Sequence, residues 1–542
     1  MATADPSTSA LLGLLVVAFH HQQGPIVEYV YPPLEDPATT SVLARHITVQ
    51  ARSDATAEYV LEPTWASLPF YALPEGAHNH THDLSYFHLP TTDPDPATSS
   101  DAQPRTTAVF GLSCYRQVNS SHLKVRTSDI TRTFVQKAVV LLLAKPVFGF
   151  VQDRLAKATE LYFGQGDFAQ TKVLASCYQQ VHQSLRPPIP QECFVTNTAL
   201  GYCLNLFRLH SLSLLKMLLV GSKVLFVGDQ AEQLCRIQYS LISVFPHALA
   251  TLDHGLYADE DDPMVVTKYI AHTHLQGYLQ LFSRATVLEP YFSMTQLPRF
   301  EDPTLKACFA GTCNEWVAKH ARQHFDAVVE LDSGRIQYSH NRHATMAAIA
   351  GLTAADRKFM DRIIKSRDHE SKLTSEQAFS TDFGLFQSDD YWEDKIRHAL
   401  QDYVERFLCT YQWTRVHKAS RCTMDALVSD YGEAFVTAWV QSRTCAAWLD
   451  VVPNTMTPDA QYLGHPGSGS GLLEDTRLRL LQQLDESGIT AGLDNSTLRK
   501  NLTSAVHTGS TVLRHRGSQT VSSVHGFLSR ATSFFQDKRG HG

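Results

Sequence analysis

The stretch that decides the fold runs from Leu212 to Pro246 and reads LSLLKMLLVGSKVLFVGDQAEQLCRIQYSLISVFP. Leu212 to Val220 is a dense apolar run carrying one charge, Lys216, and Gly221-Ser222-Lys223 breaks it. Val224, Leu225, Phe226 and Val227 follow, and Gly228-Asp229 stops them. From Gln230 the apolar residues Leu234, Ile237, Leu241 and Phe245 recur at helical spacing until Pro246. The pattern predicts helix, buried strand, helix. A strand apolar on both faces between two helices belongs to a layered α/β domain with a mostly parallel sheet. A membrane span would need roughly 20 apolar residues. Lys216, Ser222, Lys223 and two glycines interrupt this window, and charge at the bilayer centre is costly.

Composition narrows the class. The chain has 542 residues, 43% hydrophobic and 19% charged, with a net charge of -7. That fits two to four globular domains. The acidic balance argues against nucleic acid as a partner. The ten cysteines are scattered without a CxxC, which points to buried thiols in a reducing compartment rather than to disulfides or zinc. Leu11 to Phe19 is apolar enough for a signal peptide, yet no basic segment precedes it and no small-x-small site follows. It reads as a first core strand, and the protein as cytoplasmic.

Leu14 to Phe19 and Pro25 to Tyr31 flank a polar turn, a hairpin signal. Leu68 to Pro74, cut by prolines, reads as a packed loop. Ser85 to Leu89 and Thr107 to Val118 read as strands, with a polar surface loop between Thr91 and Arg105. From Ser128, a candidate cap, the stripe Val135, Ala138, Val139 and Leu142 predicts a helix closed by Pro146. Val147 to Leu185 reads as two helices separated by Gly164 to Phe168. Short strands are expected at Tyr278 to Phe282, Val287 to Tyr291, Val328 to Leu331 and Ile336 to Tyr338. Phe309 to Asn314 reads as a turn leading into an amphipathic helix with Trp316, Val317 and His320. Ala344 to Gln441 is helical by spacing, and Pro453 to Leu472 has linker composition.

The tail from Ser496 differs in kind. Seven basic residues stand against one acid, Asp537. Val521, Val524, Leu528, Ala531 and Phe535 recur at helical steps, widened by Phe527 and Phe534. This is an amphipathic basic helix, and Arg514, Arg516, Val521, Val524, Phe527, Leu528, Arg530, Phe534 and Phe535 are candidate membrane-contact residues.

Catalytic motifs are sparse. There is no P-loop lysine motif and no GxGxxG opening a helix. Gly467 to Gly471 (GSGSG) only resembles GxSxG, with Gly469 where the nucleophile would stand, and it lies in linker sequence with no strand before it. The acidic loop Asp259 to Asp262 lacks the spaced ligand ladder of a calcium site. His78, His80 and His82 alternate, so on a strand they would share one face and could hold zinc with an open position. The bland reading, a polar loop in a chain with 26 histidines, is preferred. Neither a resident metal nor a cofactor is expected.

Several strings together resemble one family. They are VVAFHHQQGPIVEYVYPP (Val16–Pro33), LPFYALPEGAHN (Leu68–Asn79), FHLP (Phe87–Pro90), VFGLSCYRQ (Val109–Gln117), LKVRTSDITRTFVQKAV (Leu123–Val139), KVLFVG (Lys223–Gly228), AGTCNEW (Ala310–Trp316) and DYGEAFVTAW (Asp430–Trp439). They are similar to the DENN-domain proteins, and within these to the Avl-nine branch of late-secretory-pathway proteins. The resemblance spans about Leu12 to Trp448. It implies an upstream longin-like α/β domain (10–146), a central α/β domain (147–340) and a downstream helical domain (341–450). A linker with a short helix (451–495) and the basic tail (496–542) follow. It also implies traffic between Golgi and plasma membrane, with the protein peripheral on Golgi, secretory-vesicle or endosomal membranes. The implied partner is a Rab-type small GTPase and the implied activity guanine nucleotide exchange. The alternative is a membrane-recruited scaffold or tether without exchange activity.

Overall fold

The computed structural model describes residues 9–468 except 37–40, 52–56, 94–104, 127–131, 246–247, 258–274, 284, 376–389, 417–420 and 455. The opening stretch folds as its pattern demands: helix Ser211–Leu219, strand Lys223–Val227, helix Ala231–Ile242. Around it the chain forms two five-stranded sheets and a helical layer.

The first sheet uses β1 (Leu11–His20), β2 (Gly24–Tyr31), β5 (His82–Asp93), β6 (Arg105–Asn119) and β7 (Phe134–Leu143), in the order β2-β1-β7-β6-β5, all antiparallel. A separate hairpin, β3 (Ile47–Ala51) and β4 (Ala57–Leu61), lies between β2 and β5 in sequence. Helices Phe148–Gly164 and Lys172–Ser184 follow. The second sheet has β8 (Lys223–Val227), β9 (Thr286–Glu289), β10 (Ala307–Thr312), β11 (Ala327–Glu330) and β12 (Arg335–Tyr338), in the order β12-β11-β8-β10-β9. It is parallel except for the β11–β12 hairpin. Val224 and Phe226 of β8 pack into the main core, while Leu225 points to a second core with Val287, Phe300 and Val317. Burial on both faces is why this strand lacks alternation. No helix among the described residues is long and apolar enough to cross a membrane.

Several expectations are corrected. Within the segment expected as a helix from Ser128 to Pro146, Phe134–Leu143 forms β7, which lies between β1 and β6, while the candidate cap Ser128 lies outside the described residues. Residues 138–143 are all buried, and a central strand apolar on both faces satisfies helical spacing by accident. Of Phe309 to Asn314, expected as a turn, Phe309 to Thr312 belongs to β10. Gly311 misleads there: a Cβ would sit 2.3 Å from the Pro290 carbonyl oxygen, so glycine permits the close approach of the neighbouring chain. Tyr278 to Phe282 forms no strand; a single turn, Leu275–Tyr278, precedes irregular chain. Leu68–Ala72 is one helical turn with proline in its first turn, where proline is tolerated.

The helical layer comprises His343–Ile349, Ala354–Ser375, Asp390–Val416, Arg421–Tyr431, Glu433–Gln441 and Arg443–Val451. Two of its carboxylates bind it to the rest. Glu393 accepts the backbone N–H groups of Leu200 (2.8 Å) and Gly201 (2.7 Å) at the start of helix Leu200–Phe207. Glu405 accepts those of Leu275 (2.8 Å) and Gln276 (2.9 Å). Helix starts leave such donors without backbone partners, so remote carboxylates complete them. The segment of linker composition after Pro453 also packs through Ser468. His465 is fully buried, with Nε2 3.0 Å from Asp356 Oδ1.

Candidate functional site

The two sheets meet along a seam centred on the loop before β5. Glu75 is its clasp. Its backbone N–H donates to Tyr291 Oη at 2.7 Å, Oε1 accepts the Met294 N–H at 3.0 Å, and Oε2 accepts Asn314 Nδ2 at 2.9 Å. Asn314 in turn caps helix Glu315–Ala321, its Oδ1 accepting from Trp316 N (2.9 Å) and Val317 N (3.2 Å). This fixes Trp316 and Met294 beside the carboxyl end of β10 and the start of the 294–301 turn. Trp316 is 51% exposed and Met294 50% exposed. The indole stacks on His320, ring centroids 3.8 Å apart, whose Nδ1 lies 2.8 Å from the Trp316 carbonyl.

A second clasp lies next to it. Asp83 of β5 is buried, and its carboxylate accepts Ala231 N (2.9 Å) and Glu232 N (3.0 Å) at the start of helix Ala231–Ile242, and Leu84 N (2.8 Å). Burial pushes the Asp83 carboxyl up to about 6, with the three backbone donors opposing the rise. We expect Asp83→Ala to lower stability by about 2–4 kcal/mol, because it leaves these donors without an acceptor. Urea unfolding at pH 7 measures it. The sign of the pH dependence also follows. A folded-state pKa above the unfolded one gives stability that is full below about pH 4 and lost as pH rises through about 6. Relative to Asp83→Asn, the wild-type chain should therefore lose stability between pH 4 and 6, by no more than about 3 kcal/mol.

Further along the seam, a cleft of about 350 Å³ is lined by Tyr71, His88, Tyr257, Thr295 and Arg299 among others. Beneath it Glu289 is fully buried and paired with Arg299, with Tyr71 Oη 3.4 Å from Oε2. His88 Nδ1 meets Tyr257 Oη at 2.8 Å, its Nε2 contacts the Leu288 carbonyl, and burial holds its pKa below the usual imidazole value. Each charge here is matched by a neighbour, so the cleft floor reads as a polar plug joining β5 to β9.

The alternating histidines do not share a strand face. His78 lies in the 77–79 turn, His80 follows it, and only His82 is on β5. Gln117 Nε2 ties that turn down through the carbonyls of His78 (3.0 Å) and His80 (2.9 Å). No group of three or more His, Cys, Asp or Glu residues among the described residues is arranged to hold a metal. The candidate tail residues Arg514, Arg516, Val521, Val524, Phe527, Leu528, Arg530, Phe534 and Phe535, and the acidic loop 259–262, lie outside the described residues. Sequence reading found Trp316 on an amphipathic helix but not its exposure at the seam. Glu75 is 219 residues from Met294 and 239 from Asn314, and no local pattern marks it.

A layered α/β core is thus clasped to an antiparallel sheet, with the exposed side chains of Trp316 and Met294 at the seam. The chain belongs to the Avl9 family of transport proteins, whose model matches residues 11–411. It is 28% identical over 474 residues to the late secretory pathway protein avl9 of Schizosaccharomyces pombe, covering 82% of this chain and 88% of that one. It is 26% identical over 469 residues to the late secretory pathway protein AVL9 of Saccharomyces cerevisiae, covering 80% of this chain and 57% of that one. The chain thus spans a little over half the length of the budding-yeast relative. Family and relatives support a role in late secretory traffic.

Proposed function

We propose that this chain regulates late secretory vesicle traffic by binding a Rab-type small GTPase at the seam and promoting nucleotide exchange. Exchange requires no nucleophile or base. It requires a surface that binds the nucleotide-free GTPase more tightly than the GDP-bound form, because only differential affinity shifts an equilibrium. The observation that carries the reading is the pair Trp316 and Met294, half exposed yet held by the hydrogen bonds of Glu75 and Asn314. Aromatic anchors on a rigid base are the usual hot spots of interfaces. The order of an antiparallel sheet, a mostly parallel sheet and a helical layer supports the tripartite DENN reading. The test is GDP release from a panel of Rab GTPases. We expect acceleration for at least one member. Binding without acceleration would leave the scaffold or tether, and neither binding nor acceleration would remove the mechanism.

Recruitment to Golgi, secretory-vesicle or endosomal membranes is assigned to the basic tail. Removing residues 496–542 should weaken binding to anionic liposomes, and raising salt should weaken it in the intact chain. Unchanged binding in the truncated chain would refute the assignment.

A further inference from the structure

The end of the first sheet bearing the β1–β2 turn and the β6–β7 connection carries a surface that the seam does not use. Phe19 at the end of β1 is 38% exposed, and Phe134 at the start of β7 and Val125 in the connection are each 50% exposed. Register brings them to one end: Lys137 pairs with Ala18, next to Phe19, and Phe134 lies opposite Asn119 at the end of β6. The described parts of the connection are hydrogen-bonded in place. Ser120 N–H donates to the Thr133 carbonyl at 2.7 Å, and Lys124 and Val125 both donate to the Gly166 carbonyl, at 2.7 and 3.2 Å. Three exposed cations, Lys124, Arg126 and Arg132, sit among these apolar groups, and the Arg132 guanidinium lies over the Phe19 ring at 4.8 Å. Residues 16–26, 116–126 and 132–138 contain no Asp or Glu, and the one acid of the connection, Asp129, lies outside the described residues. Of the carboxylates on adjoining elements, Glu28 is paired with Lys137, and Asp167 accepts from Ala169 N and Gln170 Nε2 within its own turn, each at 3.0 Å.

We infer that this sheet end is a docking surface for a bilayer containing anionic phospholipids. Aromatic rings settle at the level of the headgroups and acyl ester groups. Long basic side chains lay their methylenes along apolar surface while the charge reaches the phosphate layer. Cations that have no carboxylate ion-pair partner among the described residues, interleaved with half-exposed Phe and Val, match such a layer in both charge and polarity. The surface shares no residue with the Trp316 and Met294 pair, and the inference does not rest on the GTPase reading. It adds a second membrane contact to the one assigned to the tail.

The test is flotation of the full chain with vesicles of phosphatidylcholine alone and with about one-third phosphatidylserine. Each basic residue near an anionic surface contributes roughly fivefold to partitioning, so Lys124→Gln/Arg126→Gln/Arg132→Gln should lower it on the order of a hundredfold. Val125→Ser/Phe134→Ser should weaken binding to both vesicle types without altering its salt dependence. All five side chains are exposed, so thermal melting should not move, and a matched melt separates lost binding from lost folding. The tail variant Arg514→Gln/Arg516→Gln/Arg530→Gln is the companion. If it alone loses binding while both sheet-end variants bind like wild type, the sheet-end surface is refuted. Absence of vesicle binding by the wild-type chain would refute it too. So would sheet-end variants that keep lipid binding but lose a protein partner.

Discussion

Replacing Lys216 by Met is expected to lower stability by about 3–5 kcal/mol, a large part of a domain's total. Lys216 is the one charge in the apolar helix of the opening stretch and is fully buried. Its ammonium donates to Asp356 Oδ2 at 2.6 Å, to the Tyr431 carbonyl at 3.0 Å and to the Gly351 carbonyl at 3.1 Å, and lies 5.0 Å from the centre of the Phe435 ring. Asp356 is also fully buried, and its carboxylate further accepts from Tyr403 Oη at 2.9 Å and Thr353 N at 2.9 Å. Met fills the volume but leaves Asp356 as a buried charge without its counter-ion, and that uncompensated charge sets the loss. Adding Asp356→Asn to Lys216→Met should cost less than the two single changes together, because both act on one network. Urea midpoints of the two single variants and the double variant check this. Burial alone would raise the Asp356 pKa, but Lys216 and His465 outweigh it and hold the carboxyl down to about 2. A depressed folded-state value contributes stability that is present above about pH 4 and lost as pH falls toward 2. Lys216→Met should lose most of that acid dependence.

Trp316→Ala is expected to weaken GTPase binding by about 2 kcal/mol or more, roughly thirtyfold, with little change in melting temperature. The indole is half exposed, so its removal opens no cavity in the core. Val317, the next residue, is fully buried and would give the reverse pattern, lower stability first. Met294→Ala should act in the same direction but less strongly. Glu75→Ala touches no partner directly, yet it frees Met294 N and Asn314 Nδ2 and should lower binding by loosening the ledge. Titration calorimetry with a nucleotide-free GTPase, alongside thermal melts, separates these effects.

Much of the central architecture was legible because its signals are local. The 211–242 unit declares itself through a charge-interrupted apolar run, a four-residue apolar strand and a helical stripe. The β1–β2 hairpin follows from turn chemistry between apolar runs, and β11 and β12 from their short apolar strands. The misreadings of β7 and β10 share a physical cause. In β7 and β10 the environment on both faces is protein, so the period-two pattern that marks a half-exposed strand is absent. What joins the parts was not legible. Lys216 weighed against a membrane span as a charge in an apolar run, but its partner lies 140 residues away. His465 sat in glycine- and proline-rich sequence that gives no hint of burial against Asp356. Likewise Asp83 and Glu75 look like ordinary surface acids until the second sheet is placed beside them. The family resemblance supplied the functional reading, and the seam supplied residues on which to test it.

The most direct measurement is the affinity of the intact chain for each member of a Rab panel in its nucleotide-free and GDP-bound forms, repeated with Trp316→Ala. The account predicts at least one GTPase bound more tightly without nucleotide, with that preference lost in the variant. Equal affinity for the two forms across the panel, or a preference that survives Trp316→Ala unchanged, would contradict it.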